Sequence, residues 1–236
     1  MAEKAFMEEL ELLIRSRYPI IWIDSWEEER ALRLVKKVGE RLSKKLYFWD
    51  GLEDIKQPGG FVPETRMPEA AIEHVRNSSE NGLYIFFDLH PYLRSEASRI
   101  IRRLRRAAFE LKRSYKTIIV VSPENEIPPE LEKQITILDL PLPGRSELGR
   151  LLDHILEKVK KNPSLTVEAD DKLLDQIVTA ARGLTVSEAE SLFLKAAVTD
   201  KKFDKEDLGL ILQEKKQILR KSGVLEYFDT SENMSN

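Results

Sequence analysis

The segment YPIIWIDSWEEERAL, residues 18–32, places a short apolar run directly before a charged segment with helical periodicity. Residues 20–23 are all bulky and apolar, which is typical of a strand that is buried on both faces of a sheet. From about Trp26 to Ser43 the apolar residues recur at helical spacing. A strand, a turn and a helix therefore follow one another, and this succession predicts a parallel sheet covered by helices.

Four further apolar runs of strand length follow within the first 140 residues, and helical patterns separate them. The predicted strands lie at 20–24, 46–49, 83–88, 117–121 and 135–140, and the predicted helices at 8–17, 26–43, 69–76 and 95–113. Residues 56–68 contain three prolines and the pair Gly59-Gly60, so they predict a loop.

The pattern changes after Pro143, because every later periodic segment is helical. Helices are predicted at 145–161, 170–182, 186–199 and 204–221, with Asp170, Thr185 and Asp204 as candidate starts and Gly183 as a candidate C-cap. The predicted domains are an α/β core over 1–143, a helical lid over 144–228 and a disordered tail over 229–236. The predicted fold class is α/β: a P-loop-NTPase-like five-stranded parallel sheet with helices on both faces, followed by a small all-helical lid of the AAA+ type.

The composition excludes several classes of protein. The net charge of −3 gives no general attraction to nucleic acid or to an anionic membrane. The chain has no cysteine, which excludes a disulfide framework and cysteine-ligated zinc. The acidic start is unlike a secretory signal, and no apolar run is long enough to span a membrane. We expect a cytoplasmic location, or the stroma of a plastid, and no membrane partner.

The nucleotide-binding motif that belongs to such a fold is missing. A P-loop, GxxxxGK[ST], closes backbone N–H groups around phosphates and supplies a lysine, but the junction from Asp24 through Ser25 to Arg30 has neither glycine nor lysine. Glu27, Glu28 and Glu29 are predicted to occupy the first helical turn, where a phosphate would bind. A carboxylate 4 Å from a phosphate charge costs about 4 kcal/mol at an effective dielectric of about 20. Glutamates are also ordinary residues at a helix start.

The other positions of a nucleotide site also lack residues that ATP binding and hydrolysis require. The strand 83–88 ends in Asp88, as a Walker B strand does, but Leu89 follows where a water-polarising Glu is needed. Ser122 stands where AAA+ proteins place a polar sensor, although a serine there is ordinary turn chemistry. In the lid, Ser187, Glu188 and Glu190 stand where an arginine that reaches the γ-phosphate is expected. We therefore expect no catalytic residue and no cofactor, with ATP and Mg²⁺ entering only if the site is atypical or completed by a partner.

Two remaining features concern metals and partners. His74, His90 and His154 have no ligand spacing, so no metal site is expected. The densest basic segment is the predicted helix 95–113. Its arginines are Arg99, Arg102, Arg103, Arg105 and Arg106. They could form a solvated face, a docking face for an acidic partner or neighbouring subunit, or a nucleic-acid contact, which is disfavoured because no aromatic residues interleave with them.

Several long segments are similar to one known family. GLYIFFDLHPYL (82–93), KTIIVVSP (116–123), IPPELEKQITILDLPLP (127–143) and RGLTVSEAES (182–191), with the segment quoted first, resemble the N-terminal half of an uncharacterised AAA+ ATPase family of plastids, cyanobacteria and other bacteria. The resemblance implies an ATPase-like module without a working nucleotide site, which a second module with an intact P-loop follows. It also implies a ring- or oligomer-forming protein, with an AAA+ ATPase module or a second copy as the partner.

Three functional hypotheses follow from these observations. The first is a non-catalytic AAA+-like module with a regulatory or scaffold role, which pairs with an active module in cis or in trans. The second is an ATP-binding protein or ATPase whose site is atypical or is completed by a partner. The third is a nucleic-acid-binding adaptor that uses the arginine-rich helix.

Overall fold

A computed structural model of the protein describes residues 2–94, 97–160, 166–199 and 202–221. The predicted tail over 229–236 lies outside the described residues. The chain divides into two compact units, Met1–Pro141 and Leu142–Asn236. Each unit is described by itself below.

The described part of the first unit forms one sheet of seven strands in the order β4-β3-β2-β5-β6-β1-β7. The strands are β1 (Ile20–Asp24), β2 (Lys45–Trp49), β3 (Ile55–Gln57), β4 (Gly60–Val62), β5 (Gly82–Phe87), β6 (Thr117–Ser122) and β7 (Ile135–Asp139). The helices are α1 (Ala2–Arg15), α2 (Glu28–Arg41), α3 (Pro68–Asn77) and α4 (Ser98–Leu111), and a short 3₁₀ helix spans His90–Leu93. The five predicted strands are confirmed, and they are mutually parallel.

The predicted loop over 56–68 is wrong, because it contains an antiparallel hairpin. β3 pairs with β2 and with β4, so the sheet is mixed rather than purely parallel. Pro58 lies in the turn, where its missing N–H is not needed, and Gly59 supplies the φ of 92° that the turn requires. The Thr65 hydroxyl accepts a 2.7 Å hydrogen bond from the Ile55 N–H and holds the base of the hairpin closed.

Alternation along the parallel strands divides their side chains between two buried layers. Trp22, Tyr84 and Phe86 lie in the layer that α3 and α4 cover, whereas Ile23 and Ile85 lie in the layer that α1 and α2 cover. Every residue of β5 is buried. The predicted first helix began at Glu8, but α1 begins six residues earlier because Phe6 and Met7 extend its buried stripe. Burial on both faces is what the continuous apolar runs predicted.

A buried lysine caps the end of α3. Lys116 Nζ donates hydrogen bonds to the carbonyl oxygens of Val75, Arg76 and Ser78 at 2.7, 2.9 and 2.7 Å. The last carbonyls of a helix have no partner within the helix, so one ammonium group serves three acceptors. Burial lowers the pKa of Lys116. The residue joins α3 to the start of β6 across about 40 residues of chain.

The described part of the second unit contains four helices, α5 (Arg145–Lys160), α6 (Asp171–Ala180), α7 (Val186–Thr199) and α8 (Glu206–Lys221). They enclose a separate core around Leu152, Ile177 and Phe193. The all-helical prediction is wrong in one detail: β8 (Thr166–Val167) and β9 (Lys202–Phe203) pair in parallel, because buried Phe203 draws the segment before α8 into that core. None of the helices in the described part of the chain is long and apolar enough to cross a membrane.

The helix boundaries of the second unit follow local chemistry. Asp170 caps α6 by accepting a 2.8 Å hydrogen bond from the Leu173 N–H, as predicted. Thr185 and Glu188 form a capping box at the start of α7, in which Glu188 accepts from the Thr185 N–H at 2.8 Å. Gly183 has a φ of 91° in the turn between these two helices. The predicted start at Asp204 lies two residues before α8.

Candidate functional site

The carboxyl ends of the parallel strands bring the predicted site residues together. Strand register places Asp24 beside Ser122 of β6 on one side and beside Asp139 of β7 on the other. Asp88 follows β5 at the same edge, and its N–H donates to the Val121 carbonyl at 3.0 Å. Ligands of open α/β sheets bind at this edge, where successive connections run in opposite directions. β1 is that point, because it lies between β6 and β7 and far from β2.

The junction between β1 and α2 is short, and two of its backbone N–H groups already donate hydrogen bonds within the protein. The Ser25 N–H donates to the Ser122 carbonyl at 2.9 Å, and the Ser25 hydroxyl accepts from the Glu27 N–H at 2.9 Å. Only residues 25–27 separate β1 from α2. A phosphate cradle needs several unpaired N–H groups in a glycine-rich loop, and two of the few available here already have partners. Trp26, with 79% of its surface exposed, occupies the middle of this junction.

The position of Glu27 differs from the prediction that it lies in the first helical turn. α2 begins at Glu28, and Glu27 is the residue before it. Its carboxylate turns inward and pairs with Arg30, whose Nη1 lies 2.9 Å from Glu27 Oε2. Both side chains are buried, at 6% and 4% exposed. Arg30 also donates to the Pro141 carbonyl at 2.6 Å, so it ties the junction to the end of the segment that follows β7.

Several carboxylates lie near this junction and affect one another's pKa. Partial burial raises the pKa of Glu28, and the negative charges of Asp88, Asp50 and Glu29 raise it further. Burial also raises the pKa of Asp24; a 2.5 Å hydrogen bond from Asn125 Nδ2 opposes that effect, and the charge of Asp139 adds to it. Burial is the main cause of both pKa shifts, and neighbouring carboxylates add to each of them.

Asp88 has an unusual backbone conformation, but the residue after it is not the glutamate that ATP hydrolysis requires. Its φ is 46°, in the left-handed region that L-residues rarely adopt, and its carboxylate is 58% exposed. Leu89 is fully buried in the layer beneath α4. The position that would hold a water-polarising carboxylate is therefore part of the apolar core.

Ser122 is held in a network with His90. Its Oγ lies 2.6 Å from His90 Nδ1 and 3.0 Å from the Glu124 carbonyl oxygen, and His90 Nε2 lies 3.8 Å from the Glu124 carboxylate. Serine, histidine and glutamate in this order suggest nucleophilic catalysis. Ser122 is only 1% exposed and its hydroxyl is already bonded to two partners, so it cannot attack a substrate. The network fixes the segment after β6.

The arginines of α4 do not form one uniform face. Arg99, Arg102, Arg103 and Arg106 are exposed, whereas Arg105 is half-buried and its Nε has no hydrogen-bond partner among the described residues. Arg103 pairs with Glu73 at 3.3 Å, and Arg106 pairs with Glu110 at 3.2 Å. Phe109, which is 51% exposed, lies one to two turns along the same side. Arg105 is therefore less accessible than the other four arginines, and an exposed aromatic residue lies on their side of the helix.

The other positions that were compared with nucleotide and metal sites lie in regular helices or lack clustered ligands among the described residues. The segment GRSELGRL, 144–151, approaches the P-loop spacing, but Gly149 lies inside α5 and cannot form a loop. Glu188 serves the capping box of α7, and Glu190 lies in the same helix. No group of three or more His, Cys, Asp or Glu that could hold a metal ion occurs within the described ranges.

Three contributors to this edge were missed from sequence. They are Arg30, which pairs with Glu27, and His90 and Glu124, which contact Ser122. The spacing of Glu27 and Arg30 is a helical i, i+3 spacing, which could have suggested a pair. His90 and Ser122 are 32 residues apart, and no local signal connects them.

Comparisons with known proteins agree with this architecture. Residues 6–140 match the family model described as the N-terminal domain of SpoVK-like AAA ATPases, and residues 146–222 match the model of the second domain. The chain is 32% identical over 237 residues to an uncharacterized AAA domain-containing protein, ycf46, of Trieres chinensis, covering 98% of the chain and 46% of the relative. The corresponding protein of Guillardia theta is 31% identical, with 95% and 44% covered. The chain thus spans about half the length of these curated relatives.

Comparison with solved structures supports only the fold, because the sequence identity to them is low. The FIGL-1 AAA domain, solved in complex with ADP, superimposes with a TM-score of 0.62 at 11% identity, covering 95% of this chain and 88% of that chain. PCH-2 of C. elegans has a TM-score of 0.56 at 11% identity, with 92% and 69% covered.

Proposed function

Because the chain belongs to the family of SpoVK-like AAA ATPases, we propose that it is a non-catalytic AAA+ module that pairs with an active ATPase module and has a regulatory or scaffold role. The observation that carries the proposal is the junction between β1 and α2. There a buried Glu27–Arg30 ion pair stands where a phosphate-binding loop would be, and burial together with the charges of Asp88 and Asp50 raises the pKa of Glu28.

Electrostatics at the carboxyl edge oppose a triphosphate. Burial raises the pKa of Glu28, and Asp88, Asp50 and Glu29 are close enough for their charges to raise it further. Each ionised carboxylate within 4 Å of a phosphate charge would cost about 4 kcal/mol at an effective dielectric of about 20. The one cation in the junction, Arg30, is buried and paired with Glu27, so it offers no compensation. A millimolar complex is worth only about 4 kcal/mol, and two such repulsions would abolish it.

Hydrolysis meets a second obstacle that is independent of binding. A general base or water-orienting group must lie within hydrogen-bond reach of the attacking water. Leu89 is buried where that group is needed, and the Ser122 hydroxyl is engaged by His90. A partner could supply a missing cation from outside, but it could not replace Leu89 in the core.

The purified chain is expected to release phosphate from ATP–Mg²⁺ no faster than its Asp88→Asn variant does. Nucleotide at the junction would also quench Trp26, which is exposed, whereas Trp22 and Trp49 are buried. We therefore expect no change in the Trp26 fluorescence at up to about 1 mM ATP–Mg²⁺, a concentration that detects binding of about 4 kcal/mol. The FIGL-1 AAA domain is the positive control for the nucleotide assay. Turnover that Asp88→Asn abolishes would instead establish the atypical or partner-completed ATPase.

The exposed side of α4 is the surface that we assign to the neighbouring AAA+ module. Arg99 and Arg102 are exposed and make no ion pair with any described carboxylate. Exposed Phe109 lies further along the same helix, and arginine with an aromatic residue is a combination enriched at protein interfaces. Their natural complement is an acidic surface, such as the carboxyl edge of a second copy.

Reversing two of these charges is expected to weaken association between AAA+ modules. We expect Arg99→Glu with Arg102→Glu to weaken self-association of the chain by at least about tenfold, or about 1.4 kcal/mol, in sedimentation equilibrium. The matched control is Lys36→Glu with Lys37→Glu on α2, which makes the same change in net charge. Equal weakening by both variants would argue against the α4 surface. Salt-dependent binding of single-stranded DNA that only the α4 variant loses would favour the nucleic-acid adaptor.

A further inference from the structure

A second concave site lies at the edge of the sheet opposite the acidic junction. Pro19 directly precedes β1, Gln134 directly precedes β7, and Lys112 directly follows α4. These residues line one cavity of about 390 Å³ at the amino ends of the strands. Cavities of about 300–1,000 Å³ are typical of small-molecule sites.

The lining of this cavity is cationic. Arg17, Lys112 and Lys133 line it, and no carboxylate is among its lining residues in the described chain. None of the three cations makes an ion pair with a carboxylate within the described ranges. The whole protein carries a net charge of −3, so three unpaired cations in one cavity depart from the average surface.

The ends of two helices account for only part of this charge. α1 ends at Arg15 and α4 ends at Leu111, and the carbonyl end of a helix carries roughly half a negative charge. Together they offset about one of the three positive charges. An excess therefore remains for an external anion.

Arg17 is held in place rather than left free. Its guanidinium carbon lies 4.5 Å from the centre of the Tyr115 ring, which is a cation–π contact. Its φ of 59° is in the left-handed region, where a helix usually ends on glycine. The contact and the left-handed backbone hold Arg17, which is one of the residues that line the cavity, and strained residues are frequent at ligand sites.

Hydroxyl groups complete the set of donors. Ser16, Tyr18 and Thr136 also line the cavity. Guanidinium, ammonium and hydroxyl groups are the donors that recognise the oxygen atoms of a phosphate group, and residues of all three kinds line this cavity. We propose that this amino-edge cavity binds the phosphate group of a small phosphorylated molecule. Nucleic acid is the poorer fit, because a polyanion needs cations spaced along an open groove.

Binding of inorganic phosphate tests the site on the whole chain. Isothermal titration at constant ionic strength, with chloride as the balancing anion, is expected to show saturable binding of phosphate and of AMP. Lys112→Gln with Lys133→Gln is expected to weaken both by at least about tenfold, because each lysine contributes a charge-assisted contact. Both side chains are exposed, so the variant keeps its fold, which circular dichroism checks.

The matched control is Lys172→Gln with Lys205→Gln, two exposed lysines of the second unit with no ion pair among the described contacts. It removes the same two charges and is expected to leave phosphate affinity unchanged. Equal loss in both variants, no binding at about 20 mM phosphate, or binding of a twenty-nucleotide oligothymidine alone would each overturn the proposal. Any heat from ATP at this cavity is separable from the junction, because it needs Lys112 and Lys133 but not Asp88.

Discussion

Replacing Arg30 with methionine is expected to lower the free energy of unfolding of the first unit by about 3–5 kcal/mol, since it removes the cation that pairs with the buried carboxylate of Glu27 and with Glu3. Glu27 is 6% exposed, and its Oε2 lies 2.9 Å from Arg30 Nη1. The change also removes the 2.6 Å hydrogen bond to the Pro141 carbonyl. Urea unfolding followed by tryptophan fluorescence measures the effect on this unit alone, because Trp22, Trp26 and Trp49 all lie in it.

Two further variants show whether the loss of stability comes from a buried charge that has lost its ion pair or from lost packing. Glu27→Leu combined with Arg30→Met removes both charges, and we expect it to recover most of the lost stability, because an apolar pair of similar volume often replaces a buried ion pair at little cost. Arg33→Met removes an arginine that is 51% exposed, and we expect it to cost less than about 1 kcal/mol. If Arg30→Met were as mild as Arg33→Met, the junction would owe its shape to something other than this pair.

Replacing Lys116 with methionine is expected to destabilise the same unit by about 2–4 kcal/mol, because it strands the carbonyl groups at the end of α3. Lys116 is 7% exposed and donates to three carbonyl oxygens within 2.9 Å. Methionine matches the length of the lysine stem but donates no hydrogen bond. The measurement is again urea unfolding followed by tryptophan fluorescence, with amide hydrogen exchange to show fraying at the end of α3.

The second unit provides the matched control for Lys116. Lys215 Nζ donates to the Ala180 carbonyl at 2.9 Å and to the Arg182 carbonyl, where it caps the end of α6 in the same manner. Lys215→Met should therefore leave the tryptophan transition unchanged, since α6 and α8 belong to the second unit. A Lys116→Met protein that unfolds at the wild-type urea concentration would show that water satisfies the freed carbonyls.

The main strands could be predicted because their signal is local. A continuous apolar run such as residues 83–87 is stable only where both faces are covered, so burial on both sides follows from the run itself. The hairpin of β3 and β4 escaped prediction because each strand has only three residues and is set between prolines and glycines. The hairpin residues adopt strand structure because β3 pairs with β2, and no sequence pattern within the hairpin predicts that pairing.

The α/β order, the missing phosphate-binding loop and the leucine after Asp88 can be read from the amino-acid sequence, since each is a matter of residue type and spacing along a short segment. The inward turn of Glu27 to Arg30, the contact of His90 with Ser122, and the shared cavity of Arg17, Lys112 and Lys133 become visible only in the folded chain. Side-chain direction and long-range neighbours depend on how strands from distant parts of the chain pack, and periodicity carries no information about those contacts.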